Sequence, residues 1–301
     1  MIAPRRFLPS ISSLLALEAV ERLGSASAAG EELSLTHSAV SRQLKVLEDQ
    51  IGVTIFRREG KGLALTPAGV DYARSVRGVL QDLARASLRI KASGERSSVN
   101  LAILPAFGMF WLSPRLQAFS AAHPEITVNL TTRLSSFDFN RDKQDAALHF
   151  GRRDWRGVNY LELAGERVIP ACAPSLAPAG PCAAAALLQM PLLHLETRPG
   201  AWEDWFTRMG VAPGNLTGML FDQFMNMAEA AALGFGVALL PEFLAQNEFA
   251  RGRLVPAYPD YLDVEGSYYL VWPDGSSPSR ALATLLRWLG EGADQNRAPA
   301  R

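Results

Sequence analysis

Cysteine is nearly absent from this chain: Cys172 and Cys182 are the two thiols in 301 residues. So few exclude a disulfide scaffold, and in a large chain with no visible export signal they are expected to be reduced. Histidine is almost as scarce. His37, His123, His149 and His194 lie far apart, without HExxH or Cys-x-x-Cys spacing, so no metal site is expected. No uninterrupted apolar run approaches the roughly 18 residues of a membrane span. The N-terminal Arg5-Arg6-Phe7 is basic, but Ser10, Ser12, Ser13 and Glu18 interrupt the apolar residues after it, so no leader is expected and the chain reads as cytoplasmic. Also missing are the G-x-S-x-G elbow, the Walker loop and the dinucleotide fingerprint. Gly234-Phe235-Gly236 comes nearest, yet Leu239 occupies the third glycine position and the segment opens a strand after a helix, the wrong order for phosphate binding. Neither an enzyme nor a cofactor is expected. Net charge is zero, which excludes a uniformly basic nucleic-acid binder but not a local basic face. Residues 1–95 hold 13 Lys and Arg against 10 Asp and Glu, so the mild positive excess is N-terminal.

What the chain does have is a segment suited to lie on DNA, residues 34–48. Thr36 can cap a helix, its hydroxyl accepting an orphaned backbone N–H. Val40, Leu44 and Leu47 recur at helical spacing and form an inward stripe. The opposite face carries His37, Ser38, Ser41, Arg42 and Lys45, hydroxyls and cations of the kind that meet phosphates and base edges. Before it stand a helix over 12–23, with Leu14, Leu15, Leu17, Val20 and Leu23 as its apolar face, and a short alanine-rich helix over 26–33. After it Gly52 ends the helix, and residues 57–66 predict a glycine-tipped hairpin. That basic wing carries Arg57, Arg58 and Lys61. For Arg42 the bland alternative is an intrahelical ion pair, for Thr36 capping alone, and for the wing cations ordinary surface charge.

Thr66-Pro67 opens a long helix to about residue 92, Pro taking the first helical position. Its apolar stripe has nothing adjacent in sequence to cover it, and the expected cover is a second copy of the chain. Residues 93–98 read as a linker. Beyond it strands are predicted over 99–104, 126–131, 146–150, 167–173, 192–195, 218–221, 236–240 and 268–272. Helices are predicted over 110–122, 202–209, 224–233 and 277–289. The alternation argues an α/β domain with mostly parallel strands.

Residues 36–48, Gly52-Val53, Phe56-Arg57-Arg58 and Leu65-Thr66-Pro67-Ala68-Gly69 closely resemble LysR-type transcriptional regulators. Trp111-Leu112-Ser113-Pro114-Arg115-Leu116, His123-Pro124-Glu125-Ile126, Phe150-Gly151-Arg152 and Gly234 to Pro241 resemble that family's subgroup typified by the glycine-cleavage activator and the β-lactamase regulators. The resemblance spans about residues 7–290. It implies an α/β chain with an N-terminal winged helix-turn-helix (1–66) and a long linker and dimerisation helix (67–92). After these comes a C-terminal two-lobed, periplasmic-binding-protein-like α/β effector domain (97–290). Lobe one is expected over 97–165 and 268–290, lobe two over 166–267. Promoter DNA, a small-molecule co-inducer in the cleft, and self-association as a dimer of dimers are the partners so implied. Some positions depart from the family pattern. His37 replaces a usual Gln that could pair bidentately with adenine, and Gly30 replaces a better helix former at a cost of about 1 kcal/mol.

Ligands of such folds meet strand ends and helix starts facing the cleft. That nominates Pro105, Ala106 and Phe107; Thr132 and Arg133; His149, Phe150 and Gly151; Glu196 with Trp202; and Asp222, Gln223 and Phe224. Arg133 is the expected counter-charge for a carboxylate. Ala106-Phe107 and Phe224-Met225 are apolar, fitting either a ligand less polar than an amino acid or simple packing of the lobes. His149 at a strand end is either a titrating group or a satisfied hydrogen-bonding residue. Two other functions remain open: a thiol switch using Cys172 and Cys182, and a two-lobed enzyme.

Overall fold

The computed structural model describes residues 3–4, 7–59, 62–93, 97–177, 183–275 and 277–297. The chain divides into two compact units, residues 1–94 and 95–301.

In the first unit α1 (Ile11–Leu23) starts at Ser10, whose hydroxyl accepts from the Ser13 N–H at 3.1 Å. Its buried stripe is Ser13, Ala16, Leu17, Ala19 and Val20, whereas Leu15 and Leu23 are exposed. The leucine-wide face read from the sequence is thus rotated toward alanine, because only small side chains let α2 (Ala26–Leu33) approach closely. Ala26 and Ala29 complete that contact. Helix α3 (His37–Ile51) is capped by Thr36, which accepts from the Ala39 N–H at 3.2 Å, and ends at Gly52 with φ 73°. Val40, Leu44 and Leu47 are buried against α1 and α2. Gln43 Oε1 accepts from the buried Ser13 hydroxyl at 2.8 Å, tying α3 to α1.

The wing is β1 (Phe56–Glu59) paired antiparallel with β2 (Gly62–Leu65). Glu48 fixes its base, one carboxylate oxygen accepting from the Ile55 and Phe56 N–H groups at 2.7 and 3.0 Å. Helix α4 (Pro67–Ser93) comes next, Thr66 accepting from the Gly69 N–H at 3.1 Å. Ala73 and Val76 are buried in this unit's core, while Val79, Leu83, Leu88 and Ile90 further along α4 are exposed. The expected linker is shorter than read: Ser93 closes α4 and Ser97 opens the next strand.

The second unit is one nine-stranded sheet with helices against it. It begins with β3 (Ser97–Ile103). A helical run continues through α5 (Pro105–Phe107), a π turn (Gly108–Leu112) and α6 (Ser113–Ala122). Then come β4 (Ile126–Thr132), α7 (Phe139–Asp142), β5 (Ala146–Gly151) and the long β6 (Val158–Cys172). Lobe two holds β7 (Leu192–Leu195), α8 (Ala201–Arg208), β8 (Gly218–Phe221), α9 (Phe224–Ala232), β9 (Val237–Pro241), α10 (Glu242–Ala250) and β10 (Val255–Pro256). The return is β11 (Leu262–Pro273), and α11 (Arg280–Arg297) closes the chain.

Strand order is β4-β3-β5-β11-β6-β9-β7-β8, with β10 beside β6. The outer groups β4-β3-β5 and β9-β7-β8 are parallel, and β6 and β11 are antiparallel to each other and to their neighbours. The expectation of mostly parallel strands therefore holds within each lobe and fails at the junction. Both junction strands are longer than predicted. β6 begins at Val158 and β11 at Leu262, so each passes from one lobe into the other without a break, and the expected boundaries at 165/166 and 267/268 fall inside strands. Lobe one packs on Phe107, Leu112, Phe119, Leu270 and Leu285, and lobe two around Ile169, Leu193, Ala231, Leu240 and Leu244. Helix α10 and the short α7 were not predicted.

Gly30 has a role the sequence hid. A Cβ built there would lie 2.7 Å from the Leu35 carbonyl oxygen, and the Leu35 N–H donates to the Gly30 carbonyl at 2.8 Å. The turn between α2 and α3 closes directly over this residue. Gly30→Ala, stabilising by about 1 kcal/mol on helix propensity alone, is instead expected to lower the melting temperature of the first unit. Calorimetry showing a higher melting temperature would contradict that reading.

Candidate functional site

On α3 the polar face is open. Thr36, His37, Ser38, Arg42 and Lys45 are exposed and Ser41 is half-buried. Among the described residues neither Arg42 nor Lys45 enters an ion pair, so the intrahelical alternative for Arg42 is not realised. Thr36 caps α3, and its hydroxyl lies 3.0 Å from that of Ser38. Arg57 is exposed on β1. Arg58 lies on the same strand with its side chain outside the described residues, as is Lys61 altogether.

In the second unit the expected cleft exists as a cavity of about 330 Å³ between the lobes. Of the nominated residues, Pro105, Ala106, Phe107, Arg133, His149, Phe150, Asp222, Gln223 and Phe224 line it. Thr132, Gly151 and Glu196 do not; they sit at the ends of β4 and β5 and just beyond β7. Trp202 turns away into the lobe-two core, 2% exposed, its indole N–H donating to the Leu193 carbonyl at 2.9 Å. A large ring with one donor is satisfied better there than at a wet cleft wall.

Arg133 lines the cavity but is spoken for, its guanidinium donating to Asp142 at 3.0 Å. His149 is engaged too, its Nε2 2.9 Å from the Arg152 carbonyl and 3.2 Å from an Asp154 oxygen. Phe107 is 1% exposed and acts as a wall rather than a free contact. It stacks on Tyr268 with ring centroids 3.8 Å apart, and on Trp111 at 4.7 Å. Both readings of the apolar segment thus share one residue, since Phe107 packs the lobe and also bounds the cavity.

Arg198 escaped the sequence reading. It lies just beyond β7, and its guanidinium stacks 3.7 Å over the Phe150 ring and 5.8 Å from that of Phe224. Its Nε stands 3.7 Å from an oxygen of Glu166, a carboxylate 4% exposed in the middle of β6. The Tyr268 hydroxyl donates to the other Glu166 oxygen. Burial pushes the Glu166 carboxyl above the usual carboxylate range, with Arg198 and then Tyr268 opposing it. Burial and the adjacent carboxylate push the Tyr268 hydroxyl well up. Rings and cations therefore form a column from Arg115 on Trp111, through Phe107, Tyr268 and Phe150, to Arg198 and Phe224. Only a three-dimensional fold brings these residues together; nothing local marks Arg198 in sequence.

Cys172 is fully buried at the end of β6 and Cys182 lies outside the described residues. No helix among the described residues is long and apolar enough to cross a membrane.

Two family models match the chain: "Bacterial regulatory helix-turn-helix protein, lysR family" over residues 11–70, and "LysR substrate binding domain" over residues 92–294. The chain is 36% identical over 291 residues to the HTH-type transcriptional regulator TrpI of Pseudomonas aeruginosa, covering 95% of this chain and 98% of that protein. To the glycine cleavage system transcriptional activator of Escherichia coli it is 32% identical over 285 residues, 94% of this chain and 93% of that one. The solved effector domain of the regulator AmpR of Pseudomonas aeruginosa superposes with a TM-score of 0.61 at 30% identity, covering 66% of this chain and 97% of that one. These relatives support transcription regulation and lend nothing to a thiol switch.

The Glu166 environment sets a pH dependence. Because its folded-state pKa is raised, the carboxyl's contribution to stability is fully present below the unfolded value of about 4.3 and fades as pH rises through the higher folded value. Glu166→Gln, which keeps an acceptor for Tyr268, is expected to gain stability over the natural chain near pH 8 and to lose that advantage near pH 4. Thermal melts of both proteins across pH check it; an advantage that grows toward acid would contradict the assignment.

Proposed function

The chain belongs to the LysR family of bacterial helix-turn-helix transcription regulators, DNA-binding proteins with an effector-binding domain, and we propose a division of labour within it. Residues 1–66 bind promoter DNA, 67–92 pair two copies, and 97–290 sense a small molecule. Arg42 is the principal contact to a base edge or phosphate, flanked by Thr36, His37, Ser38, Ser41 and Lys45, with Arg57, Arg58 and Lys61 tracking the backbone from the wing. The observation that carries this is the open cationic face of α3 above a buried Val40, Leu44 and Leu47 stripe. Oriented cations on a helix that fits a major groove supply both phosphate attraction and base readout.

Self-association through α4 is supported by its exposed Val79, Leu83, Leu88 and Ile90, and we extend the proposal to a dimer of dimers. Two-fold pairing matches a two-fold operator. The protein acts in the cytoplasm and turns over no substrate.

The co-inducer occupies the cleft between the lobes. The aromatic walls Phe107, Phe150, Phe224 and Tyr268 favour a flat apolar body, and Arg198, more than Arg133, supplies the counter-charge for its carboxylate. Binding shifts the relative setting of the lobes because the ligand's contacts differ between settings. That change alters the spacing of the paired α3 helices.

Arg42→Ala is expected to weaken binding to a selected two-fold operator by about 1–3 kcal/mol while the protein stays folded and associated. Anisotropy titrations at several salt concentrations read this, and an unchanged affinity would refute the assignment. For the cleft, Arg198→Met is expected to abolish the thermal stabilisation given by an aromatic carboxylate that binds the natural protein, with operator affinity in the absence of ligand retained. Undiminished stabilisation in that variant would remove Arg198 from the site.

A further inference from the structure

A second cavity of about 260 Å³ lies beside α8, the middle of β6 and the start of β11. Arg198, Phe150 and Phe224 line both this cavity and the cleft. Its inner walls are mostly apolar, with Val168, Leu193, Leu195, Trp202, Met227 and Leu239, and the buried Glu166 beside Arg198 is their one acid. Five buried side-chain polar atoms in the described residues lack a hydrogen-bond partner, and three belong to residues lining this one cavity: His194 Nε2, Arg198 Nε and Trp205 Nε1. Trp205 is fully buried. Its indole can only donate, so the partner it lacks is an acceptor; Arg198 Nε, also a donor, has a Glu166 oxygen 3.7 Å away, beyond hydrogen-bond reach. A buried donor left unmatched is costly enough that native proteins rarely tolerate several in one place.

The rim is acidic. Asp204, Asp263 and Glu265 line it, against Arg208, whose guanidinium donates to the Asp263 carbonyl, and Arg152, which pairs with Glu265. A lone carboxylate accepting from these nitrogens would meet repulsion at that rim and from Glu166. A molecule with an ammonium beside its carboxylate suits both. We propose that this cavity is a second small-molecule site, separate from the cleft, and that it takes an apolar α-amino acid. The carboxylate accepts from Trp205, Arg198 and His194, the ammonium faces Asp204, and the side chain lies among Val168, Met227 and Leu239. Because Arg198 borders both cavities, occupancy here also adjusts the guanidinium that the cleft ligand meets.

The test uses the full-length protein with its six tryptophan indoles labelled with nitrogen-15, the Trp205 resonance being assigned through Trp205→Phe. L-leucine, L-methionine and L-valine are titrated to millimolar concentration beside isocaproate and isopentylamine, which keep one charge each. The expected result is a saturable downfield shift of the Trp205 indole N–H with at least one amino acid and with neither single-charge analogue. Asp204→Asn, an exposed change, should weaken that binding roughly tenfold, and Ser136→Trp, which crowds only the cleft, should leave it intact. An indole resonance unmoved by all three amino acids would overturn the proposal. So would isocaproate binding as tightly as leucine, or binding lost in Ser136→Trp and unaffected by Asp204→Asn, which would place the ligand in the cleft.

Discussion

A buried carboxylate with two partners organises the effector-binding unit. Glu166 sits midway along β6, accepts the hydroxyl hydrogen bond of Tyr268 on β11, and faces Arg198 just beyond β7. A charge in that position is tolerable only while its partners hold it, since removing one leaves an uncompensated ion. The two junction strands and lobe two are thereby tied at a single point. That point is also where the aromatic column crosses from lobe to lobe.

The cleft borders this junction, since Arg198 and Tyr268 line it. In the proposed mode a ligand carboxylate near Arg198 would compete with Glu166 for the same guanidinium, and a flat ligand body would meet the rings that stack on Tyr268. Close-packed interiors respond to such competition by moving between discrete arrangements rather than by deforming smoothly. β6 and β11 both cross the junction, and their pairing shifts register there, between Val264 and Ser267 and again between Tyr268 and Tyr269. Arg198 lines both cavities, its guanidinium stacked on Phe150 and its Nε 3.7 Å from Glu166, close enough for an ion pair but not for a hydrogen bond.

The DNA-binding unit was readable in sequence because its signals are local. Thr36, Gly52 and Thr66-Pro67 mark helix ends within a few residues of the bonds they make, and the Val40, Leu44 and Leu47 period survives folding unchanged. What misled there was Gly30, whose value lies in a close approach of the Leu35 carbonyl rather than in helix propensity. In the effector unit, nine of the thirteen residues nominated from strand ends and helix starts line one cavity, and Arg198, which also lines it, carries no local signal. Arg133 and Arg198 look alike in sequence; only the fold shows Asp142 beside one and Phe150 beneath the other. Glu166 and Tyr268 are 102 positions apart, and a buried acid carries no periodic signature. The first half of β6 was missed for a related reason, since Glu162, Gly165 and Glu166 interrupt its apolar pattern. Trp202, read as a cleft residue, belongs to the core because its one donor already has the Leu193 carbonyl.

The central claim is that Glu166 and Arg198 are energetically one unit at the lobe junction. A double-mutant cycle with Glu166→Gln, Arg198→Met and the pair, read from the unfolding transition of the effector-binding unit, measures it without any ligand. The expected coupling is about 1–3 kcal/mol, the double variant departing from the sum of the two singles by that amount. Additivity within about 0.5 kcal/mol would contradict it.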